Sequence, residues 1–135
     1  MPPPTLTKSH YESLAAIRHT LRRFVHFSQD AARDAGLTPQ QHQGLLAIKG
    51  APDRDFASIA ELAESLQLRH HSAVGLVDRL ESARFVRRKP SAHDRRQVEI
   101  HLTRKGETVI EKLSAIHLEE LRQVGPTLRQ LLQSL

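Results

Sequence analysis

Between residues 58 and 80 the chain carries the pattern of two short amphipathic helices, separated by a turn of about four residues. Ser58 and Glu61 form a predicted capping box at the start of the first helix, because each side chain can bond the other residue's backbone N–H. The turn falls at Gln67-Leu68-Arg69, after which the helical spacing restarts. This pattern predicts a helix-turn-helix pair, although other helical hairpins share it. The apolar residues that define the inner faces are Ile59, Leu62, Ala63 and Leu66 in the first helix and Ala73, Leu76, Val77 and Leu80 in the second.

A predicted β-hairpin follows the second helix. Residues 85–88 indicate a short strand, and residues 97–102 alternate with a period of two, so that Val98, Ile100 and Leu102 share one face. The polar residues 89–96 form the loop between them. Helix, turn, helix and hairpin in this order predict a winged helix, in which the hairpin is the wing.

Amphipathic helices are also predicted before the winged helix. The first covers about residues 9–35, and its apolar face is wider than a small domain needs. The second runs from Thr38 to Lys49, with Pro39 at its first position and Gln41 completing a capping box.

A further long helix is predicted after the wing. Thr103 is its expected cap, and Gly125-Pro126 is expected to break it, which leaves one short amphipathic helix at residues 128–135. The predicted fold is therefore mainly α with a small β-hairpin wing, in a single domain of residues 1–135.

The charge balance favours an anionic partner. Lys and Arg number 20 against 15 Asp and Glu, which gives a net charge of +5, and this excess favours nucleic acid first and anionic lipid second. The chain has no cysteine, so disulfides, thiolate metal sites and thiol-based redox sensing are excluded. The N-terminal residues contain no apolar signal-peptide core, and no run approaches the roughly 18 apolar residues of a membrane-spanning helix. We therefore expect a soluble cytoplasmic protein without a membrane partner.

The outward face of the second helix of the pair, the predicted recognition helix, carries short and polar side chains. Short side chains allow a close approach to the floor of a DNA major groove, where Val74 could meet a thymine methyl group. The alternative is a solvated face on which Val74 is incidental. This stripe consists of His71, Val74, Gly75 and Asp78, flanked by His70, Ser72 and Arg79.

The tip of the hairpin carries Asp94-Arg95-Arg96. A long arginine at the tip of a wing can reach into the minor groove, whose negative potential is deepest in narrow A·T tracts. Asp94 is expected to hold an arginine by bidentate hydrogen bonds and so to order it before DNA binds. An ordinary turn with surface arginines is the alternative. A wing that docks on protein does not need the basic set Arg87, Arg88 and Lys89, so this set favours DNA over a protein–protein interaction module.

At this point the chain resembles the MarR family of transcriptional regulators. The residues that carry the resemblance, in order along the chain, are Ile59–Ala63, His71–Glu81, Asp94-Arg95-Arg96, Leu102-Thr103 and Gly106. The resemblance extends over nearly the whole chain. It implies a homodimer on palindromic double-stranded DNA, with residues 5–36 and 104–135 interlocking as dimerisation helices and residues 38–103 as the DNA-binding part. It also implies a repressor that releases DNA when a small, often aromatic, acid binds. One departure is Arg84, where the family usually has glycine; a left-handed conformation there would cost on the order of 1 kcal/mol.

The resemblance assigns roles to the candidate site residues. Arg96 is the expected minor-groove arginine, supported by Asp94, with Arg95 beside it. Arg79, Arg87 and Arg88 are expected to meet the DNA backbone, and His70, His71, Ser72, Val74 and Gly75 to meet bases or nearby phosphates. A ligand pocket is expected between the first, second and fifth helices, lined by Arg18, His19, Phe24 and His42.

Two other classes of function are disfavoured. His19, His26, His42 and His117 could in principle build a metal sensor, but we expect surface or pocket-lining histidines and therefore no metal and no cofactor. For an enzyme, Ser72, His71 and Asp78 are the right residue types, but on a single helix they cannot converge as a catalytic triad must. The sequence contains no phosphate-binding loop either, so no enzymatic activity is predicted.

Overall fold

Five helices and three short strands build the protein, in a computed structural model that describes all residues 1–135. The helices are α1 (Lys8–Asp34), α2 (Pro39–Lys49), α3 (Ile59–Leu66), α4 (His70–Ser82) and α5 (Arg104–Gln133). The strands are β1 (Phe56–Ala57), β2 (Val86–Pro90) and β3 (Val98–Leu102). The mainly α fold with a hairpin wing is confirmed.

The helix starts follow the local capping signals. The Ser58 hydroxyl accepts from the Glu61 N–H at 3.1 Å, and Glu61 accepts from the Ser58 N–H at 3.0 Å. The same reciprocal pair forms at Thr38 and Gln41, and the Thr103 hydroxyl caps α5. Because each bond satisfies a backbone group that the first helical turn leaves free, the predicted starts of α2, α3 and α5 are confirmed.

The wing is an antiparallel hairpin with one additional strand. Val86 pairs with Leu102 and Pro90 with Val98, while the two residues of β1 pair with His101 and Ile100 on the other edge of β3. The sequence did not predict β1. On the predicted apolar face Ile100 and Leu102 are buried, whereas Val98, at the outer end of the wing, is exposed.

The predicted break at Gly125-Pro126 is wrong, because α5 continues through both residues to Gln133. Proline removes one backbone hydrogen bond and usually clashes with the Cβ of the preceding residue. Gly125 has no Cβ, so this clash does not arise. Near the C-terminal end of α5, Ser134 forms a hydrogen bond of 2.7 Å to Ser13 of α1, which holds the two helices together beyond the proline. The expected separate helix is thus the end of α5.

The hydrophobic core lies within the winged helix and the first third of α5. The largest fully buried side chains come from α2, α3, α4, β2, β3 and α5 and include Leu45, Ile48, Leu62, Leu76, Leu80, Val86, Ile100, Ile110 and Leu113. In contrast, α1 buries only Ser13 and Ala32, and α5 buries nothing after Leu113. The core therefore fixes α4 and the wing, while most of α1 and α5 lies outside it.

Candidate nucleic-acid interface

The recognition helix α4 is held firmly by its inner face. Ala73, Leu76, Val77 and Leu80 have no exposed surface. Gly44 of α2 brings the two helices together, because a Cβ at this position would lie 3.2 Å from Leu76 and 3.3 Å from Leu80. The predicted outward stripe is on the opposite side, with His70, His71, Asp78 and Arg79 exposed and Ser72, Val74 and Gly75 partly buried.

Arg79 lies back along the surface of α4, where it remains exposed and reaches α2. Its Nη2 donates to the Gln40 amide oxygen at 3.3 Å, which connects α4 to the first turn of α2. Its Nη1 passes 3.3 Å from the place where a Cβ on Gly75 would be. The absence of a side chain at Gly75 therefore leaves room for Arg79. The sequence did not predict the partner Gln40, since the two residues meet only in the tertiary structure.

Arg88 is bound by two carboxylates of α4. Its Nη2 lies 2.6 Å from Asp78 Oδ1 and its Nη1 2.5 Å from Glu81 Oε1, while its backbone N–H donates to the other Glu81 oxygen at 3.2 Å. The hydrogen bond that Arg88 donates to Asp78 raises its pKa most; desolvation opposes this effect, and the hydrogen bond to Glu81 adds to it. Sequence reasoning had grouped Arg88 with Arg87 and Lys89, which take part in no ion pair of the structure.

The tip of the wing is ordered around Asp94. One carboxylate oxygen, Oδ1, accepts from the Arg96 N–H at 3.0 Å and from Arg96 Nε at 3.4 Å. The contact thus uses one oxygen and not the two-oxygen fork expected from the sequence. The Ser91 hydroxyl accepts from the N–H groups of His93 and Asp94, which closes the turn. The Arg96 side chain remains 92% exposed, and Arg95 is exposed beside it.

The end of α4 is joined directly to the start of α5. Arg84, which stands where the family usually has glycine, adopts a left-handed conformation with a φ of 65°. The Thr103 hydroxyl donates to the Arg84 carbonyl at 2.6 Å, and Lys105 Nζ donates to the Ala83 carbonyl at 2.8 Å. A Cβ at Gly106 would lie 2.2 Å from the Phe85 carbonyl oxygen, so only glycine allows this close approach. The start of α5 is therefore in direct contact with the residues that end the recognition helix.

Two open cavities lie between α1 and α5. The first, of about 430 Å³, is lined by His19 and Phe24, as predicted, but Arg18 and His42 lie outside it, and no residue of α2 contributes. The second, of about 320 Å³, lies closer to the winged helix, around Phe27, Ala31, Lys112 and Ile116. Sequence reasoning missed the remaining residues that line the first cavity, namely Thr20, Arg23, Phe27, Glu120, Gln123, Val124 and Thr127.

His42 and His117 form a tilted pair of rings, 43° apart, where α1, α2 and α5 meet. Their ring centroids are 4.7 Å apart, and Phe27 packs edge-on against His117 at 5.5 Å. His117 Nδ1 lies 2.7 Å from the Leu113 carbonyl and Nε2 lies 2.8 Å from the Ser28 hydroxyl. Because a carbonyl only accepts, Nδ1 carries a proton, and Nε2 shares a hydrogen bond with the Ser28 hydroxyl. Desolvation, followed by the charge of His117, lowers the pKa of the buried His42.

Neither a metal-ligand cluster nor a membrane span is found. No three His, Asp or Glu side chains come together in an arrangement that could hold a metal ion. None of the helices combines the length and the apolar character that crossing a membrane requires.

Helix-turn-helix, wing and flanking helices together define a winged helix-turn-helix protein. The MarR family model matches residues 35–97. The HTH-type transcriptional regulator YsmB of Bacillus subtilis is 28% identical over 123 residues, which are 88% of this chain and 82% of YsmB. The chain therefore resembles the MarR family of transcriptional regulators, and the family model covers 63 of its 135 residues.

Solved structures show the same fold. A MarR family protein from Bacillus stearothermophilus superposes with a TM-score of 0.77 at 22% identity, over 96% of this chain and 97% of that one. A mutant of MepR from S. aureus, bound to an oligodeoxyribonucleotide, superposes with a TM-score of 0.68 at 22% identity, over 96% of this chain and 99% of that one.

Proposed function

We propose that this protein is a sequence-specific repressor that binds palindromic double-stranded DNA as a homodimer and responds to a small-molecule effector. The observation that supports DNA binding most directly is the recognition helix. Its inner face is fully buried, and its outer face presents short and polar side chains beside a wing that ends in two exposed arginines. The MepR neighbour, which was solved with an oligodeoxyribonucleotide, supports the same proposal.

Each element takes a distinct role on DNA. Ser72, His70 and His71 supply hydrogen-bonding groups to base edges or nearby phosphates, and Val74 supplies an apolar contact. Gly75 has no side chain and therefore permits a close approach of α4 to the DNA. Arg79 and Arg87 meet the backbone phosphates, which provide most of the affinity but no sequence information. Arg96 enters the minor groove, with Arg95 beside it and Asp94 as its support.

Exposed apolar side chains on α1 and α5 support the homodimer. Large exposed patches of this kind in a soluble protein usually mark an interface, and a twofold dimer would place two recognition helices on a palindromic site. The exposed residues are Leu14, Leu21 and Val25 on α1 and Ile116, Leu118, Leu121 and Leu132 on α5.

The cavities between α1 and α5 support an effector. The first one combines aromatic surface from Phe24 and Phe27 with the cationic Arg23, a combination that suits a small aromatic acid. Because α5 is joined to the end of α4 through Thr103 and Lys105, a ligand that shifts α5 also shifts the recognition helix. An effector that lowers the affinity for DNA in this way would relieve repression.

DNA binding is tested by fluorescence anisotropy on the fragment immediately upstream of the protein's own gene, with scrambled DNA as the control. We expect a preference for the upstream fragment and a steep loss of affinity between about 50 and 200 mM salt, because phosphate contacts release counterions. If the operator lies elsewhere, DNA that the protein selects from a random pool replaces the upstream fragment in this test. Equal weak binding to every fragment would contradict the proposal and favour a winged helix that docks on protein.

The minor-groove role is tested by Arg96→Ala. We expect a loss of about 1–3 kcal/mol in specific binding, because an inserted arginine is removed. The free energy of unfolding should not change, since the side chain is 92% exposed. Arg33→Ala, an exposed arginine of α1, is the matched control and should bind DNA like the wild type. Full affinity of Arg96→Ala would rule out the proposed role of the wing tip.

A further inference from the structure

Because side chains alternate between the two faces of β2, Arg88 lies on a different face from Arg87 and Lys89. Val86 and Arg88 are two residues apart, so both side chains point to the face of the wing that meets the core. Val86 is buried there, and Arg88 continues the same row outward until it reaches the end of α4. Arg87 and Lys89 point to the opposite face and are exposed. Three consecutive basic residues therefore occupy two different environments.

The contacts of Arg88 connect two elements that are both proposed to touch DNA. Asp78 is part of the outward stripe of the recognition helix, and Glu81 follows one turn later. Arg88 uses both terminal nitrogens of its guanidinium group and its backbone N–H in these contacts. Its side chain is 29% exposed, whereas Asp78 is 60% exposed. The guanidinium of Arg88 is thus occupied by contacts within the protein, while the Asp78 carboxylate is exposed to solvent.

We propose that Arg88 is a positioning residue that fixes the wing against the recognition helix and offsets part of the negative charge of Asp78 and Glu81 close to the DNA. It acts through the carboxylates of α4 and not by the phosphate contact expected from the sequence. This inference rests on the proposed function, because the wing and the recognition helix must both engage DNA for their relative position to matter.

Two physical effects act in the same direction. Bidentate and charge-assisted hydrogen bonds restrict geometry as well as adding free energy, so Arg88 limits the angle between the wing and α4. Without Arg88, Asp78 and Glu81 would stand as two uncompensated negative charges beside the DNA backbone. Charges within about 10 Å still interact at 0.1 M salt, so these carboxylates would repel phosphates. Loss of Arg88 therefore weakens binding even if the residue never meets a phosphate.

A double-mutant cycle on DNA tests the proposal. Arg88→Gln is measured in the wild type and in the Asp78→Asn/Glu81→Gln background, on DNA that the wild-type protein selects from a random pool. We expect Arg88→Gln to weaken specific binding roughly tenfold in the wild type, equivalent to about 1.4 kcal/mol. In the neutral background there is no carboxylate to hold or to compensate, so the same change should cost less than about twofold.

Arg87→Gln is the matched control, because it removes the neighbouring arginine from the opposite face of the same strand. A direct phosphate contact loses the same affinity in both backgrounds, and we expect this of Arg87. If Arg88→Gln also lost the same affinity in both backgrounds, Arg88 would be a phosphate contact and the proposal would be wrong. Circular dichroism and gel filtration check that each variant is folded and keeps the assembly state of the wild type.

A measurement without DNA tests the contact itself. The backbone N–H of Arg88 donates to Glu81, so in a ¹⁵N–¹H NMR spectrum Glu81→Ala should move the amide signals of Arg88 and of the residues across the strand pair at Ile100. The amide of His93 at the tip, which is held by Ser91, is the internal reference. An unmoved Arg88 signal would overturn the proposed brace. Failure of the wild type to select any DNA would instead overturn the proposed function, and the DNA role of Arg88 with it.

Discussion

The winged helix and the pair formed by α1 and α5 differ in how they are stabilised. In the winged helix, α2, α3, α4 and β3 each contribute side chains without exposed surface. The helices α1 and α5 have 27 and 30 residues, yet they leave eight large hydrophobic side chains exposed, Tyr11 among them. They are linked by polar contacts such as Ser13–Ser134 and Ser28–His117. The first region has a complete core of its own. The pair formed by α1 and α5 exposes apolar surface that a partner would cover.

Removal of a core side chain from the winged helix should have the largest effect on stability. Leu76→Ala should lower the free energy of unfolding by about 2–5 kcal/mol, because Leu76 is fully buried between α4 and α2 and leaves a cavity. Urea denaturation followed by circular dichroism measures this change. Leu46→Ala, at an exposed leucine of α2, is the control and should cost less than about 1 kcal/mol. Similar losses of stability in both variants would contradict the burial of Leu76 in the core and the exposure of Leu46.

A charge on the exposed face of α1 should affect assembly more than folding. Leu21 is 43% exposed in the single chain, so Leu21→Glu should leave the helical circular dichroism signal intact. If this face forms the dimer interface, burial of an unpaired carboxylate should raise the dimer dissociation constant by at least roughly tenfold. Analytical ultracentrifugation measures this constant. Leu46→Glu places the same charge at a similarly exposed leucine of the winged helix and should leave the dimer unchanged. Equal assembly of the two variants would argue against α1 as the interface.

Acidic pH should lower the stability of the protein through His42, which lies where the two regions meet. Burial and the nearby His117 hold the pKa of His42 below the ordinary 6.5, so in this range the unfolded chain binds a proton more readily than the folded one. Stability is therefore fully present above about pH 6.5 and is lost as the pH falls through the lowered pKa, with a slope of up to about 1.4 kcal/mol per pH unit for one proton. His42→Gln should remove this part of the pH dependence in urea denaturation at several pH values. His93→Gln, at an exposed histidine of the wing, should keep the pH profile of the wild type.

The sequence predicted those elements that have a local signal. The capping residues Thr38, Ser58 and Thr103 lie at the observed helix starts, because a cap acts within its own first turn. A strand of two residues has no period, so β1 could not be found. The break expected at Pro126 was wrong: α5 continues through this residue, and Gly125, without a Cβ, removes one of the clashes that a proline causes in a helix.

The candidate site was less predictable, because its contacts join residues far apart in the chain. Gln40 meets Arg79, and Ser28 meets His117, without any local pattern that indicates either pair. Arg88 is different, since the period of two in β2 already placed it on the side of the buried Val86 and apart from Arg87 and Lys89. That signal was available in the sequence, but only the structure identifies Asp78 and Glu81 as the partners.

The smallest effect is expected at the joint between the recognition helix and α5. Arg84 has a φ of 65°, a conformation that costs on the order of 1 kcal/mol for a residue with a Cβ, so Arg84→Gly should raise the free energy of unfolding by up to about 1 kcal/mol. The neighbouring Ala83→Gly is the control, because Ala83 has an ordinary φ of −82° and glycine there should only destabilise. If the backbone conformation determines the effect, thermal unfolding should show a gain of stability for Arg84→Gly and a loss for Ala83→Gly. A loss of stability in Arg84→Gly would show that the arginine side chain contributes more to the folded state than its backbone conformation costs.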